Sequence, residues 1–260
     1  MKHKPARRRF LTGGAAFFGA MPLSGCFDAS VQRDSTTRTI LESANDLTYR
    51  VQRLLLGTNS LAQEFSASEI RQPMRPNGVT NPQDSEYLTQ VASDFSNYRL
   101  TVGGMVAQPL SLSLEQLQGM PSRTQITRHD CVEGWSCIAM WTGTPLAAIL
   151  DMAQPADNAR YVVFSCFDTM ESGLSGPVRY YESIDMLDAR HPQTILAYAM
   201  NGQRLPVANG APLRVRVERQ LGYKMAKYIH TITLADSLQP FGRGNGGYWE
   251  DHGYEWFAGI

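Results

Sequence analysis

Segments with strand and helix patterns follow one another along residues 98–234 without strict alternation, and this order limits the possible folds most. A doubly wound parallel sheet needs strands that alternate with helices, which these segments do not. The sequence therefore predicts an α+β fold. The predicted strands are residues 98–102, 125–131, 161–167, 213–217 and 228–234, and the predicted helices are residues 41–56, 112–117 (N-cap Ser113) and 144–150.

The N-terminus has the pattern of an export signal. A basic head, Lys2 to Arg9, precedes a short apolar stretch from Phe10 to Leu23, too short to span a bilayer permanently. Residues 7–11 resemble a twin-arginine signal. Residues 23–26 resemble a lipobox that ends at Cys26, although Cys26 is also compatible with an incidental residue beside an ordinary cleavage site. We expect residues 1–25 to be removed and the protein to be extracytoplasmic (periplasmic) and lipid-anchored to a membrane.

The rest of the chain divides into residues 26–69, a tether with an N-terminal helix, and residues 70–260, the catalytic domain, which begins with a loop rich in proline. The chain has equal numbers of basic and acidic residues, 24 of each. The first 25 residues hold five basic side chains and no acid, which leaves 19 basic against 24 acidic in the remainder. The net negative charge of the chain after residue 25, without a cluster of basic residues, argues against nucleic acid as a partner.

Cys131 is the strongest candidate for a residue with a chemical role. It ends a predicted strand and precedes Glu133, Gly134 and Trp135. If Cys26 carries lipid, three cysteines remain, and an odd number leaves at least one without an intramolecular disulfide. A thiolate is a soft ligand that suits thiophilic metals. A small buried hydrophobic side chain is the alternative, and residue types alone do not decide between them.

Other arrangements of the cysteines stay open at this level. A zinc site would use His129, Cys131, Cys137 and Cys166, but their spacing is not usual for structural zinc. Cys137 and Cys166 are also compatible with a disulfide or with two buried thiols. A cysteine hydrolase would need a histidine base close in space, for which no local motif is present.

A second cluster begins with a turn at residues 209–212 and continues into a strand that alternates apolar residues with Arg214 and Arg216. One interpretation is a half-buried strand with a charged outer face. The other is a cradle for an anionic ligand, because arginine binds phosphate in a bidentate manner and backbone amides near glycine can complete the site.

Four motifs in one order resemble a known family. They are residues 75–78, 131–136, 209–214 and 222–227, and the resemblance covers about residues 70–235. Together they resemble the sulfite-oxidase-fold molybdopterin family, in particular its prokaryotic branch, which includes the catalytic subunit of periplasmic methionine-sulfoxide reductase. The resemblance implies a sulfite-oxidase-like molybdopterin-binding fold, with mixed sheets and surrounding helices, and an enzyme that transfers oxygen atoms on a molybdenum–molybdopterin cofactor.

The resemblance also implies roles for single residues. Cys131 is implied to be the protein ligand to molybdenum. Arg75 and Asn77 match the loop that covers the cofactor, with Arg75 also implied in catalysis. Further cofactor contacts are implied for Cys166, where relatives carry threonine, and for Asn209, Arg214, Met225, Ala226 and Lys227.

Departures from the family pattern refine the expected function. Sulfite oxidases carry an arginine after the ligand that helps to hold sulfite, whereas Glu133, Gly134 and Trp135 stand here. We therefore expect a sulfoxide or similar small oxo substrate, with sulfite oxidation or a non-catalytic or zinc-binding lipoprotein as alternatives. About 26 residues follow Leu234, too few for a dimerisation domain, so a monomer is expected. Without haem or iron–sulfur motifs, electrons are expected to pass to or from a separate partner, such as a membrane or periplasmic cytochrome.

Overall fold

The computed structural model describes residues 36–57, 60–173 and 176–260. The chain divides into two compact units, residues 1–48 and 49–260. The predicted export signal and lipobox lie outside the described residues, and these and the predicted domain boundaries stay predictions. Helix α1, Thr36–Leu56, confirms the helix predicted at residues 41–56. Within the described ranges no helix has the length and apolar character needed to cross a membrane.

Strands and short helices make up the second unit. The strands are β1 Arg99–Gly104, β2 Leu110–Ser113, β3 Arg123–Cys131, β4 Trp135–Pro145, β5 Tyr161–Gly173, β6 Gly176–Asp185, β7 Ile195–Met200, β8 Gln203–Arg204, β9 Arg214–Arg216 and β10 Ile229–Ala235. The α-helices are α2 Ser85–Ala92, α3 Leu114–Gly119, α4 Leu146–Ala153, α5 Met186–Ala189 and α6 Tyr248–Asp251, and 3-10 turns form at Ala67–Glu69, Val207–Asn209 and Gly222–Lys224.

The strands form two sheets, which confirms the α+β class. The first sheet has the order β2-β1-β10-β5-β6, and the second has the order β3-β4-β7-β8, with β9 also paired to β7. β1 and β10 are parallel, whereas their other neighbours run antiparallel, so the first sheet is mixed. Each sheet therefore combines hairpins of consecutive strands with pairs distant in sequence, such as β1 with β10 and β4 with β7, and neither sheet is built from one continuous segment.

Local sequence signals explain several element boundaries. Ser113 is the N-cap of α3, as predicted, because its hydroxyl accepts a hydrogen bond from the Gln116 amide at 3.0 Å and the Gln116 side chain accepts one from the Ser113 amide. The helix spans residues 114–119 rather than the predicted 112–117, because β2 continues through Ser113. Residues 70–84 contain no helix or strand, as predicted from their prolines. Helix α4 starts at Leu146 rather than at Thr144, because β4 continues through Pro145.

The positions of Cys137 and Cys166 bear on two alternatives that the sequence left open, a disulfide and a zinc site. Cys137 belongs to a small apolar cluster with Trp141, and Cys166 belongs to the larger core with Phe164 and Tyr98, and both are buried free thiols. The possible Cys137–Cys166 disulfide is therefore wrong. Within the residues that the structure describes, no three His, Cys, Asp or Glu side chains lie close enough to hold a metal, so the zinc interpretation is not supported either.

Candidate active site

A cavity of about 140 Å³ in the second unit brings together several of the predicted site residues. Its walls come from the end of β3 and the turn after it, the loop before α2, the middle of β5, the middle of β6, the residues between β9 and β10, and the C-terminal segment. The lining residues are Asn77, Gly78, Val79, Cys131, Val132, Glu133, Asp168, Met170, Tyr180, Gly222, Tyr223, Met225, Lys227, Trp249 and Tyr254. Cys131, Asn77, Met225 and Lys227 were all predicted site residues.

Cys131 reaches the cavity because it is the last residue of β3, directly before a tight hairpin. Cys131 pairs with Trp135 of β4, and the Gly134 amide donates to the Cys131 carbonyl at 3.0 Å. Gly134 has a φ of +82°, a conformation that glycine adopts without steric cost. Burial raises the pKa of the half-buried Cys131 thiol, and the negative charge of the Glu133 carboxylate adds to this rise. Hydrogen bonds from the backbone amides of Glu133 and Val132, and the positive charge of Arg75, lower the pKa and so oppose it. A metal that binds this sulfur must displace its proton.

Arg75 lies at the rim of the cavity and is not part of its lining. Its guanidinium lies 4.7 Å from the ring centroid of Trp135, and its Nη2 is 3.9 Å from a carboxylate oxygen of Glu133. The Trp135 indole donates to the same carboxylate at 2.9 Å. The Arg75 side chain is 61 % exposed, so the structure places it on the surface above the hairpin turn.

Lys227 connects the cavity wall to the predicted covering loop. Its ammonium donates to the backbone carbonyls of Asn77, Val79 and Ala208. Burial, together with the charge of Arg214, lowers the pKa of Lys227 to about 7. The side-chain oxygen of Asn77 is buried and has no hydrogen-bond partner among the described residues. Loop residues 77–79 are thus fixed over the cavity while a polar atom of Asn77 stays available.

Arg214 and Arg216 are completely buried, so the interpretation of β9 as a strand with a charged outer face is wrong. Both guanidiniums pack on the Trp141 ring, at 4.9 and 4.5 Å from its centroid. Glu218 neutralises Arg216 through two hydrogen bonds of 2.7 and 2.9 Å. Arg214 has no ion-pair partner in the described part of the chain, and burial and Arg216 lower its pKa to about 9. The cluster therefore carries an uncompensated positive charge.

His129 adds a polar donor beside this cluster. Arg216 donates to its Nδ1 at 3.0 Å, so Nε2 carries the ring proton, and this buried atom has no partner among the described residues. Burial lowers the pKa of His129 well below its usual value, with Arg216 adding to the effect, and the ring is neutral. A methyl group on the neighbouring Gly222 would lie 2.5 Å from Nε2, so glycine is required for this close packing.

The remaining predicted contacts lie behind the cavity wall rather than in its lining. Asn209 is buried, and its side-chain nitrogen has no partner among the described residues, while its carbonyl accepts from Arg214 at 3.0 Å. Ala226 and Cys166 are buried in the larger core. Gly210 has a φ of +111°, and a methyl group there would lie 2.9 Å from Cβ of Lys227, so glycine lets the Lys227 stem approach the turn.

Several lining residues were not predicted from the sequence. Asp168, Met170 and Tyr180 lie outside the four motifs, and Tyr223 lies inside the fourth motif but was not assigned a role in the site. Trp249 and Tyr254 belong to the C-terminal segment, which is rich in glycine and aromatic residues. These side chains give the cavity a largely aromatic and thioether wall.

Lys224 has a structural position that its motif did not indicate. Its ammonium lies 2.5 Å from one carboxylate oxygen of Glu182 and 2.5 Å from one of Glu250, and all three side chains are at most 1 % exposed. Burial opposes protonation of Lys224, but the two carboxylates outweigh burial and raise its pKa. Lys224 therefore joins β6 to α6 beneath the cavity wall and does not reach into the cavity.

The side chains present fit a molybdopterin cofactor. A thiol faces the cavity for a thiophilic metal, and Arg214 supplies a buried positive charge that lacks a counterion, as an anionic phosphate group requires. Buried polar atoms of Asn77, Asn209 and His129 without partners among the described residues add hydrogen-bonding capacity around these charges.

Comparisons with known proteins also point to a molybdopterin-binding protein. Residues 88–240, more than half of the chain, match the family described as oxidoreductase molybdopterin binding domain. The chain belongs to this molybdopterin-binding oxidoreductase family. A protein of Azospira oryzae, provisionally assigned as protein-methionine-sulfoxide reductase subunit YedZ1, is 35 % identical over 255 residues, which cover 98 % of this chain and 88 % of that protein.

Other relatives of this oxidoreductase match over shorter segments. The protein-methionine-sulfoxide reductase catalytic subunit MsrP of Ralstonia nicotianae is 39 % identical over 149 residues, 55 % of this chain and 45 % of that protein. The match therefore spans less than half the length of MsrP. The crystal structure of the sulfane dehydrogenase SoxCD from Paracoccus pantotrophus is similar with a TM-score of 0.49 and 21 % identity, over 55 % of this chain and 39 % of that one. The family match over residues 88–240 confirms the predicted family and its sulfite-oxidase-like fold.

Proposed function

We propose that this molybdopterin-binding oxidoreductase reduces a sulfoxide, with methionine sulfoxide in a peptide or protein as the substrate class. The observation that carries the proposal is the composition of the cavity wall. The Glu133 carboxylate lines the cavity two residues after the Cys131 thiol, where it would repel the sulfite anion. Met170, Tyr223 and Trp249 offer polarisable and aromatic surface to a neutral sulfur compound. The names of the Azospira and Ralstonia relatives support the same substrate class.

The site residues have separate roles in this proposal. Cys131 would bind the molybdenum, and Arg214, Asn209 and Lys227 would hold the anionic part of the cofactor. When bound, the cofactor supplies the two-electron chemistry for oxygen-atom transfer. Loop residues 77–79, anchored by Lys227, and the C-terminal aromatic residues restrict access of water to the cavity. Arg75 and Glu133 lie at the mouth, where an incoming peptide would meet them first.

Turnover with reduced dye tests this proposal. The full chain would be produced with an intact cofactor pathway, its molybdenum content measured, and oxidation of a reduced viologen followed with free and peptide-bound methionine sulfoxide, dimethyl sulfoxide and N-oxides. Sulfite oxidation would be measured in parallel with an oxidised dye. We expect turnover on sulfoxides and little on sulfite. Rapid sulfite oxidation without sulfoxide turnover would establish the alternative function instead.

Two cysteine variants make the test specific. Cys131→Ala is expected to lose turnover and the paramagnetic signal of the reduced metal. Cys137→Ala is the matched control, because Cys137 is a buried free thiol on the adjacent strand β4, paired with His129 and outside the cavity lining. It is expected to keep both properties. Equal behaviour of the two variants would contradict the role proposed for Cys131.

We further propose that the protein is exported to the periplasm, is anchored through lipid on Cys26, and exchanges electrons with a separate membrane-associated redox partner. The basic and apolar pattern of residues 1–25 and the word "subunit" in the names of its relatives support this proposal. Mass spectrometry of the mature N-terminus tests the anchor. A diacylated or triacylated Cys26 is expected, and an unmodified or later N-terminus would refute it.

A further inference from the structure

Asp168 occupies an unusual position for an acidic residue. It lies in the middle of β5, its side chain lines the cavity that also contains Cys131, and the residue is only 3 % exposed. The pairing of β5 with β6 shifts register between Ser165 and Thr169, and its pairing with β10 ends at Cys166. Such bulges redirect single side chains and are frequent beside active sites. At this irregular stretch β5, a strand otherwise packed in the core, contributes an acidic residue to the cavity lining.

The backbone on both sides of Asp168 is fixed. The Phe167 amide donates to the Tyr228 carbonyl at 3.0 Å. The Thr169 amide and hydroxyl both donate to the carboxylate of Asp84, at 3.0 and 2.6 Å. Asp84 precedes α2 as its N-cap but makes no side-chain capping bond there. These contacts hold the bulge in one conformation, which keeps the direction of the Asp168 side chain constant.

The surroundings of the Asp168 carboxyl favour its neutral form. One of its oxygens is buried and has no hydrogen-bond partner among the described residues. Burial raises the pKa of Asp168 to about 7, the Lys227 ammonium and the Asp168 backbone amide oppose this rise, and the charge of Asp84 adds to it. The titratable or charged groups that interact with Asp168 from the neighbouring elements are Asp84, Tyr87, Cys166, Tyr180, Lys227 and Tyr228.

We propose that Asp168 is a catalytic general acid, which donates a proton from its carboxyl group to the oxygen of a sulfoxide bound in the cavity. The proposal rests on the proposed sulfoxide reduction. The overall step takes R₂SO, two electrons and two protons to R₂S and water. The sulfur–oxygen bond breaks, sulfur is reduced by two electrons, and two O–H bonds form. The electrons come from the redox partner, or from the reduced viologen in the assay, one proton comes from Asp168 and the other from solvent.

Asp168 suits this role better than the other acid in the cavity. The Glu133 side chain is 59 % exposed, and its carboxylate accepts a hydrogen bond from the Trp135 indole and lies 3.9 Å from Arg75, so it faces solvent and partners at the rim rather than the buried part of the cavity. An acid that is protonated near neutral pH combines the correct protonation state with a sufficient driving force for transfer. General acid catalysis typically contributes about 10²–10⁴ in rate.

The pH dependence of the holoenzyme tests the proposal. In the wild type, kcat/KM for methionine-sulfoxide reduction by reduced viologen is expected to fall about tenfold per pH unit above about 7, as the acid ionises. Asp168→Asn removes the proton but keeps the shape of the side chain. It is expected to lower kcat/KM by on the order of 10² and to abolish the change of slope near pH 7 in the pH profile, called here the pH break. Asp168→Glu is expected to restore part of the rate and a break at a shifted pH. Glu171→Gln, on the same strand but outside the cavity lining, is the matched control and is expected to keep the profile.

Infrared difference spectroscopy provides a readout independent of activity. A protonated-carboxyl band that titrates near pH 7 in the wild type should be absent in Asp168→Asn and present in Glu171→Gln. An Asn variant that keeps the wild-type rate or the pH break overturns the proposal, as does an Asn variant that loses its molybdenum, which would assign Asp168 to cofactor binding. A wild-type protein that reduces no sulfoxide contradicts the proposed function itself, and the infrared titration still shows whether Asp168 is protonated.

Discussion

Removal of the ammonium between Glu182 and Glu250 should destabilise the protein strongly. The variant Lys224→Met keeps most of the side-chain volume but leaves two carboxylates, each at most 1 % exposed, without the cation they share. Loss of one partner from a buried ion pair typically costs about 3–5 kcal/mol. We expect a loss of this size in the free energy of unfolding at pH 7, which is a large part of the roughly 5–15 kcal/mol of a typical domain.

Urea denaturation followed by tryptophan fluorescence measures this loss. The loss should shrink as the pH falls, because burial and the neighbouring Glu250 already raise the pKa of Glu182, and without the opposing charge of Lys224 the Glu182 carboxylate takes up a proton more readily. A triple variant with Glu182→Gln and Glu250→Gln added to Lys224→Met should recover most of the lost stability, since uncharged amides tolerate burial better. A loss below about 1 kcal/mol that does not depend on pH would show that water reaches the carboxylates, and would refute the description of this cluster as dry.

Three further predictions concern separate parts of the second unit. Ser113→Ala should lower stability by about 1 kcal/mol in urea denaturation, because α3 loses the hydrogen bond from the Gln116 amide to its N-cap, and an unchanged midpoint would contradict this. Gly222→Ala should cost about 1–3 kcal/mol and shift the His129 ring signals in NMR spectra, because the added methyl group has no space beside Nε2. In cofactor-free protein, the raised pKa of Asp168 stabilises the fold at low pH, and this contribution of roughly 4 kcal/mol should be lost as the pH rises from about 4 to about 7. A urea series over that range should show the slope in the wild type and a flatter curve in Asp168→Asn, and identical curves would contradict it.

The sequence predicted the features that depend on local chemistry. Ser113 was recognised as an N-cap from its residue type and position, and the strand that ends at Cys131 was recognised from the residues before it. The ordered motifs predicted the family, which the match over residues 88–240 confirms. These signals are local, or repeat a pattern shared with relatives, so one sequence is enough to find them.

Long-range packing determined what the sequence could not show. Arg214 and Arg216 look like the exposed face of a strand, but both are buried against Trp141 because β9 lies beside β7 within the second sheet. Asp168 carries no motif, and it joins the site only because the fold brings β5 beside the hairpin that contains Cys131. Lys224 stands inside a family motif, yet it binds Glu182 and Glu250 rather than the cavity.

The way in which Lys227 holds the covering loop has an evolutionary consequence. The lysine bonds to main-chain oxygens of residues 77 and 79, which every amino acid provides. The loop can therefore change its side chains, and with them the shape of the cavity mouth, while its attachment is preserved. Selection for a new substrate could act on this segment at little cost in stability, whereas a change at Lys227 would release the loop whatever its sequence.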